Sequence, residues 1–392
     1  MVRTEDQKDI RNLLKNSGYS GRVVTSVRTT SQRLLTPLRV AVALAVSMLV
    51  AELGLRACDF AWPSTRARFV VMDPTEDARI RAGTSSFAFD ADQLWVPLAG
   101  APIPGSDTEC FGVDGLLEPV PARARTPGVL RIAILGADAT VAPHLPARLR
   151  WPSRMQSELV ARGIACEVVD ASVPLYSPRQ GLERWRTIVR AYQPDVVIAA
   201  YAMGNACKPA PMLRTDGKRL EAVRADPSLL QPWSAAGWSD RLRVAHAFRW
   251  LWDVLFSEEY WDGRHAWFTM LRLQQTWMEV IWPGERRVMP DEFVECLASL
   301  AREIRAESAL PLFVGIPPAP TTPAAAVREL YLRSMVQQAT RDQVPFYDGH
   351  ALMVVSDGVP LYTDEDTLNA CGHDLLGLHV ASQVAAMVSV PR

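Results

Sequence analysis

The chain has 392 residues, 48% of them hydrophobic, and a formal net charge of -1. That length allows one sizeable buried core with further segments around it, and the balanced charge gives no overall electrostatic pull toward nucleic acid. Partners must therefore be argued from local features.

The first stretch, Met1 to Arg39, is polar and mixed. It carries Lys8, Arg11, Lys15, Arg22, Arg28, Arg33 and Arg39 against acids only at Glu5, Asp6 and Asp9. Such a segment cannot build a core and is expected to be mobile or bound along a partner. An apolar run comes next, Val40 to Ala51, which is shorter than the roughly 20 residues that a bilayer requires. Arg39 and Glu52 can extend their polar ends toward the interface, and Leu53 to Leu55 lengthen the run, so residues 34–57 suffice for one spanning helix. A cleaved signal peptide and a buried soluble helix are the alternatives. No small-x-small cleavage pattern lies beyond the run, and the long basic prefix fits an uncleaved anchor. The excess of Lys and Arg before the helix predicts residues 1–33 in the cytoplasm and the main domain periplasmic or otherwise extracytoplasmic.

Residues 58–128 form a lead-in rich in Pro, Asp and Gly, expected to cross the bottom or edge of a sheet and assigned no chemistry. The segment 129–392 then alternates between two periods. Leu130 to Gly136 is an almost continuous apolar run stopped by a glycine, the signature of a buried parallel strand. Trp151 to Ala161 is helical in pattern, Cys166 to Ala171 is a second strand, and Asp195 to Tyr201 is a third, ending near Gly204 and Asn205. Leu310 to Ile316 is a fourth, and Val344 to Asp348 a short fifth. The order βαβαβ predicts an α/β fold, a three-layer αβα sandwich with a parallel sheet, whose chemistry belongs at the carboxyl ends of the strands.

Between the third and fourth strands lies an insertion, 208–287, that holds eight of the 12 tryptophans. His246 to Phe256 and Trp267 to Ile281 both read as helices. Trp250, Trp252, Trp261, Trp267, Trp277 and Trp282 are the interaction candidates. Three readings stand: an aromatic helical subdomain packed on the sheet, a surface that docks on an integral-membrane protein or lies at the headgroup level, and a platform for stacking glycan rings. Later, Pro290 opens a helix with Phe293, Leu297, Leu300 and Ile304 on one face. Another helix covers Val327 to Gln343, and a terminal one carries Leu376, Val380, Val384 and Met387 on one stripe. The six cysteines share no Cys-x-x-Cys spacing, so no zinc site is expected; no other metal and no cofactor is assigned. Cys166 on a strand and Cys296 on a helix face read as free buried thiols.

The strand-end loops, taken in order, resemble the blocks of the SGNH (GDSL-type) hydrolases. The family's first block, Gly-Asp-Ser, is here Gly136-Ala137-Asp138-Ala139-Thr140, with Asp138 at the serine position; a register shifted by one puts Ala139 there. The second block, usually Asn-Ala-Gly with the glycine amide in the oxyanion hole, is Asp170-Ala171-Ser172. The third, Gly-x-Asn-Asp, is Gly204-Asn205-Ala206. The last, Asp-x-x-His-Leu-Asn-x-x-Gly-His, is Asp364-Glu365-Asp366-Thr367-Leu368-Asn369-Ala370-Cys371-Gly372-His373, so Thr367 stands at the general base and His373 at the family's structural histidine. Asp348 matches another family feature, and His350 beside it lies off the catalytic blocks. Ala51-Glu52-Leu53-Gly54-Leu55-Arg56 and the lead-in Cys110-Phe111-Gly112-Val113-Asp114-Gly115 resemble membrane-anchored members.

A serine hydroxyl is a poor nucleophile until a base within hydrogen-bond reach removes its proton. Neither register supplies the hydroxyl, and Thr367 supplies no base. The resemblance therefore implies an SGNH-type scaffold without its parent chemistry: a membrane-anchored interaction subunit of a membrane assembly, with no cofactor. The alternatives are a divergent carbohydrate esterase or O-acyltransferase of the cell envelope, with Asp138, Asn205 and Asp364 in altered roles, and a glycan-binding module that uses the vacated cleft.

Overall fold

The computed structural model describes residues 21–58, 60, 71–72, 74–201, 203–208, 215–230, 242–256, 286–316, 319, 325–355, 360–364 and 367–389. The chain divides into two compact units, one of Met1–Ala67 with Ala235–Phe256, the other of Arg68–Ser234 with Ser257–Arg392.

The first unit is built on the helix Gly21–Ala57, 37 residues with Pro37 inside it. Its segment Arg39–Ala57 has a mean hydropathy of 1.9 and is long and apolar enough to cross a membrane. The helix begins well before residue 34, so residues 21–33, expected from the sequence to be a polar segment mobile or bound along a partner, continue it. That stretch has no glycine or proline after Gly21 to break a helix, and the absence of an apolar stripe hid it from a reading based on periodicity. The helix Arg243–Phe256 belongs to the same unit and packs on the first. Glu52 Oε2 accepts the backbone N–H of Val244 at 2.8 Å, and Phe60 meets Trp250 edge-on with ring centroids 6.3 Å apart.

The second unit holds a five-stranded sheet formed by β3 (Leu130–Gly136), β4 (Cys166–Asp170), β5 (Val196–Ala200), β6 (Leu310–Gly315) and β7 (Phe346–Asp348), in the order β4-β3-β5-β6-β7. All neighbouring pairs are parallel. Alternation along the strands divides the core between two faces. Ile132, Ile134, Ile198 and Val314 pack under the helices Trp151–Ala161 and Ala370–Val388. Ala133, Leu135, Val197 and Phe313 pack under Pro178–Thr187, Pro290–Ala306 and Ala325–Arg341. Because helices cover both faces, the strands are apolar at nearly every position, which is why they read as continuous runs.

The lead-in does more than cross an edge. A hairpin of β1 (Phe87–Asp90) and β2 (Leu94–Pro97) pairs antiparallel and builds a third apolar cluster with Phe111, Leu117, Tyr176, Leu220 and Val223. Leu117 N–H bonds the carbonyl of Asp170 at the end of β4, and the carbonyls of Ala122, Arg123 and Ala124 ring the buried Arg131 guanidinium. The insertion 208–287 is not one subdomain among the described residues: its helix Asp216–Ala225 packs in the second unit, and Arg243–Phe256 in the first.

Candidate functional site

The sheet order and the parallel register bring the loops after β3, β4 and β5 to one end of the strands, and these loops carry the first three blocks. Gly136 ends β3 where side chains crowd it: an added Cβ would meet Thr140 Oγ1 at 2.5 Å and Ser172 Oγ at 2.8 Å. The chain then turns into the short helix Asp138–Val141.

Asp138 and Asn205 come together. Asn205 Nδ2 donates to Asp138 Oδ2 at 2.6 Å and, more weakly, to the carbonyl of Tyr176 at 3.3 Å, while Lys208 Nζ donates to Asn205 Oδ1 at 3.1 Å. The second donor to the Asp138 carboxylate is the backbone N–H of Leu175, at 3.2 and 3.1 Å from its two oxygens. This amide lies three residues beyond Ser172, where the resemblance put it. The Ser172 N–H instead closes a turn onto Asp170 Oδ1 at 3.0 Å. Leu175 has φ 63°, a left-handed conformation that favours glycine.

A buried ionic cluster holds that strained residue. Arg287 Nη1 donates to the carbonyl of Leu175 at 2.7 Å, and Arg287 Nη2 reaches Gln180 Oε1 at 2.8 Å and Asp216 Oδ2 at 2.9 Å. Asp216 also accepts from Ser177 Oγ at 2.7 Å and pairs with Arg219. Burial alone would raise the Asp216 carboxyl, but Arg287, Arg219 and the hydrogen bonds outweigh it and hold the group down at about 2. Asp170 shows the opposite balance: half-buried at the end of its strand, its carboxyl is raised by desolvation, against which Ser172, Arg150 and Arg184 act only partly. Arg184, also buried, donates to the carbonyls of Ala171 and Gly115 at 2.8 and 2.7 Å and ties the second block to the lead-in.

The last block keeps its frame. Asp364 Oδ1 accepts the Thr367 N–H at 2.8 Å, Asn369 caps the helix Ala370–Val388 by accepting from Gly372 N–H at 3.0 Å, and His373 Nδ1 accepts from Trp151 N–H at 3.2 Å. Burial, with the charges of His144 and Arg150, depresses His373 to about 3, so it is a neutral imidazole that joins two helices. His144 went unmarked in the sequence, where nothing but its place after the first block could have flagged it. Its Nε2 lies 3.2 Å from the carbonyl of Leu368, beside the base position, and its ring is 6.5 Å from that of His373. Neither imidazole bonds a hydroxyl or a thiol among the described residues.

A cavity of about 250 Å³ opens beside β4, lined among others by Leu117, Arg150, Gln156, Glu167 and Asp170; Asp138, Asn205 and Thr367 do not line it. Among the described residues no three His, Cys, Asp or Glu side chains are set to hold a metal ion. Cys166 and Cys296 are buried thiols. Of the tryptophan candidates, Trp250 is half-buried and Trp252 is exposed, whereas Trp261, Trp267, Trp277 and Trp282 lie outside the described residues.

No family model matches the chain, and neither does any curated protein. Among solved structures it is similar to a lipase/acylhydrolase from Enterococcus faecalis, at 14% identity and a TM-score of 0.41, over 66% of this chain and 97% of that one. TesA is similar at 15% identity and a TM-score of 0.40, over 66% of this chain and 99% of its own. An acetylxylan esterase from Geobacillus stearothermophilus is similar at 13% identity and a TM-score of 0.40, over 68% and 98% of the two chains.

Proposed function

We propose that this is an SGNH-type domain that works by contact rather than by turnover, tethered to a membrane by the segment Arg39–Ala57 and serving as an interaction subunit of a membrane assembly. The basic prefix puts the amino terminus on the cytoplasmic side and the domain on the other. The observation that carries the loss of chemistry is the Asp138 carboxylate. It stands where the resemblance puts the nucleophile and accepts from the Leu175 amide and the Asn205 side chain.

Acyl transfer needs such donors free to meet an oxygen as it becomes negative. Here a resident anion already holds them. A second negative charge forming about 4 Å away would be repelled by roughly 4 kcal/mol at an effective dielectric of 20. That alone slows the step by about a thousand-fold. A carboxylate nucleophile would also leave an acyl-enzyme whose general-base position, 367, carries a threonine that cannot activate water.

The test uses the full chain in detergent, treated with a serine-directed fluorophosphonate and, separately, resolved by native mass analysis after mild extraction. No covalent adduct and co-migration with other membrane proteins are expected. An adduct that disappears in Asp138→Ala would replace this reading with the envelope esterase or O-acyltransferase, and a clean monomer would remove the assembly role.

A further inference from the structure

The helix Arg243–Phe256 buries one side and leaves the other apolar and open. His246 is buried at 3% exposure, and Trp250 packs edge-on against Phe60. Phe248, Leu251, Trp252 and Leu255 are exposed at 66%, 45%, 65% and 60%. They recur at i, i+3, i+4 and i+7, so they form a single stripe along the helix. A row of large apolar side chains on the water side is not neutral decoration: such patches mark a surface that something covers.

The identity of the cover is set by where the helix is fastened. Glu52 lies in the last turns of the apolar segment Arg39–Ala57, and its carboxylate accepts the N–H of Val244 in the first turn of Arg243–Phe256. A carboxylate at a helix amino terminus satisfies donors that the helix itself cannot, and it meets the positive end of the helix dipole. Glu52 is fixed in turn by Arg56 at 2.7 Å. The exposed stripe therefore begins one helical turn from the point where the apolar segment ends. Along that segment Leu49, Val50 and Leu53 are themselves exposed at 58%, 63% and 59%. The two apolar surfaces belong to the same unit and are joined by the Glu52–Val244 contact.

We propose that Arg243–Phe256 lies in the interfacial layer of the bilayer that Arg39–Ala57 crosses, its Phe248, Leu251, Trp252 and Leu255 stripe sunk at the boundary between headgroups and acyl chains. The inference rests on the reading of Arg39–Ala57 as a membrane span. Helices of this type place their apolar side about 5–10 Å into the boundary region. Tryptophan suits that depth because its ring is apolar while its N–H still finds water or headgroup oxygen. The clip at Glu52 fixes the depth of the helix.

The test uses the full chain reconstituted in vesicles of phosphatidylcholine and phosphatidylglycerol. A photo-reactive benzophenone amino acid replaces, one at a time, Phe248, Leu251, Leu255, Leu44 within the apolar segment, and Val160, an exposed apolar residue of the other unit. Irradiation and then mass analysis are expected to give lipid adducts at Leu44, Phe248, Leu251 and Leu255 and none at Val160. Adducts at Leu44 without any at the other three overturn the interfacial helix and leave the span standing. Absence of lipid adducts at Leu44 overturns the span and this inference with it. Cross-links from the three positions to protein, whether a second copy or another chain, overturn the lipid assignment, as do adducts of equal yield at Val160.

Discussion

Replacing Asp216 with alanine tests whether the buried ionic cluster holds the site together. The carboxylate is wholly enclosed, and the guanidiniums it serves are nearly so, with side-chain exposures of 1% for Arg219 and 8% for Arg287. Asp216→Ala removes the carboxylate that both buried cations share. Breaking a buried pair in this way costs about 3–5 kcal/mol, a large part of the roughly 5–15 kcal/mol that separates a native domain from its unfolded state. Asp216→Asn, which keeps an acceptor but not the charge, is expected to cost less. The pH dependence gives a second reading with a fixed sign. The carboxyl is held at about 2 in the fold against 3.8 as its ordinary value. Its contribution is therefore fully present above pH 3.8 and is lost as pH falls toward 2. From the difference between those two values the contribution is on the order of 2 kcal/mol. Urea unfolding of the full chain in detergent, monitored by circular dichroism at pH 7 and across pH 4 to 2, measures both. A loss below about 1 kcal/mol at pH 7, the size of one ordinary hydrogen bond, would refute the ion-cluster argument. So would acid curves for Asp216→Ala and the parent that run parallel.

Other parts of the second unit give three further expected outcomes. Gly181→Ala is expected to destabilise by about 1–3 kcal/mol, because its new methyl runs into the hydroxyl of the buried Tyr201; a stabilised variant, as an exposed helical glycine would give, contradicts the packing. His373 is kept neutral by burial, with a value of about 3 in the fold against 6.5, so its contribution is complete above pH 6.5 and declines as pH falls toward 3. The decline is about 1.4 kcal/mol per pH unit within that window, and in His373→Gln the stability curve should flatten there; an unchanged slope argues against a buried neutral imidazole. Burial pushes the Cys166 and Cys296 thiols up to about 11 and 12, so at pH 8 iodoacetamide should modify exposed Cys58, Cys110 and Cys371 first. Peptide mapping that finds Cys166 or Cys296 alkylated in the native protein at equal rate contradicts this.

The sheet was legible because its strands are buried on both faces: Leu130 to Gly136 or Val196 to Ala200 can only be interior strands, and Trp151–Ala161 between them carries the helical period to its observed ends. The helix Pro178–Thr187 was missed although Ser177 and Gln180 form a capping box around Pro178 at its first position. Its arginines and glutamate hid a buried helix that ties polar groups across the core. The hairpin β1–β2 was lost among turn-forming residues, and the helical residues 21–33 were missed for want of an apolar stripe. At the site, the blocks fixed which residues approach one another, and Asp138 does meet Asn205. What they could not give was the donor amide. A left-handed turn at Leu175 has no glycine to announce it, and the arginine that holds its carbonyl comes from position 287, more than a hundred residues away. His144 reaches the last block through the fold alone. The tryptophan cluster looked like one module because composition is blind to partners; the Glu52 contact assigns Arg243–Phe256 to the helix Gly21–Ala57 instead.

The most direct measurement is ester hydrolysis by the full chain in vesicles, using nitrophenyl esters of short and medium acyl length, beside Asp138→Ala and the doubly restored Asp138→Ser with Thr367→His. The parent and Asp138→Ala should both match the buffer rate, and any acyl transfer should arise only in the restored chain. Turnover by the parent that vanishes in Asp138→Ala would contradict the claim that the carboxylate at position 138 closes the site to chemistry.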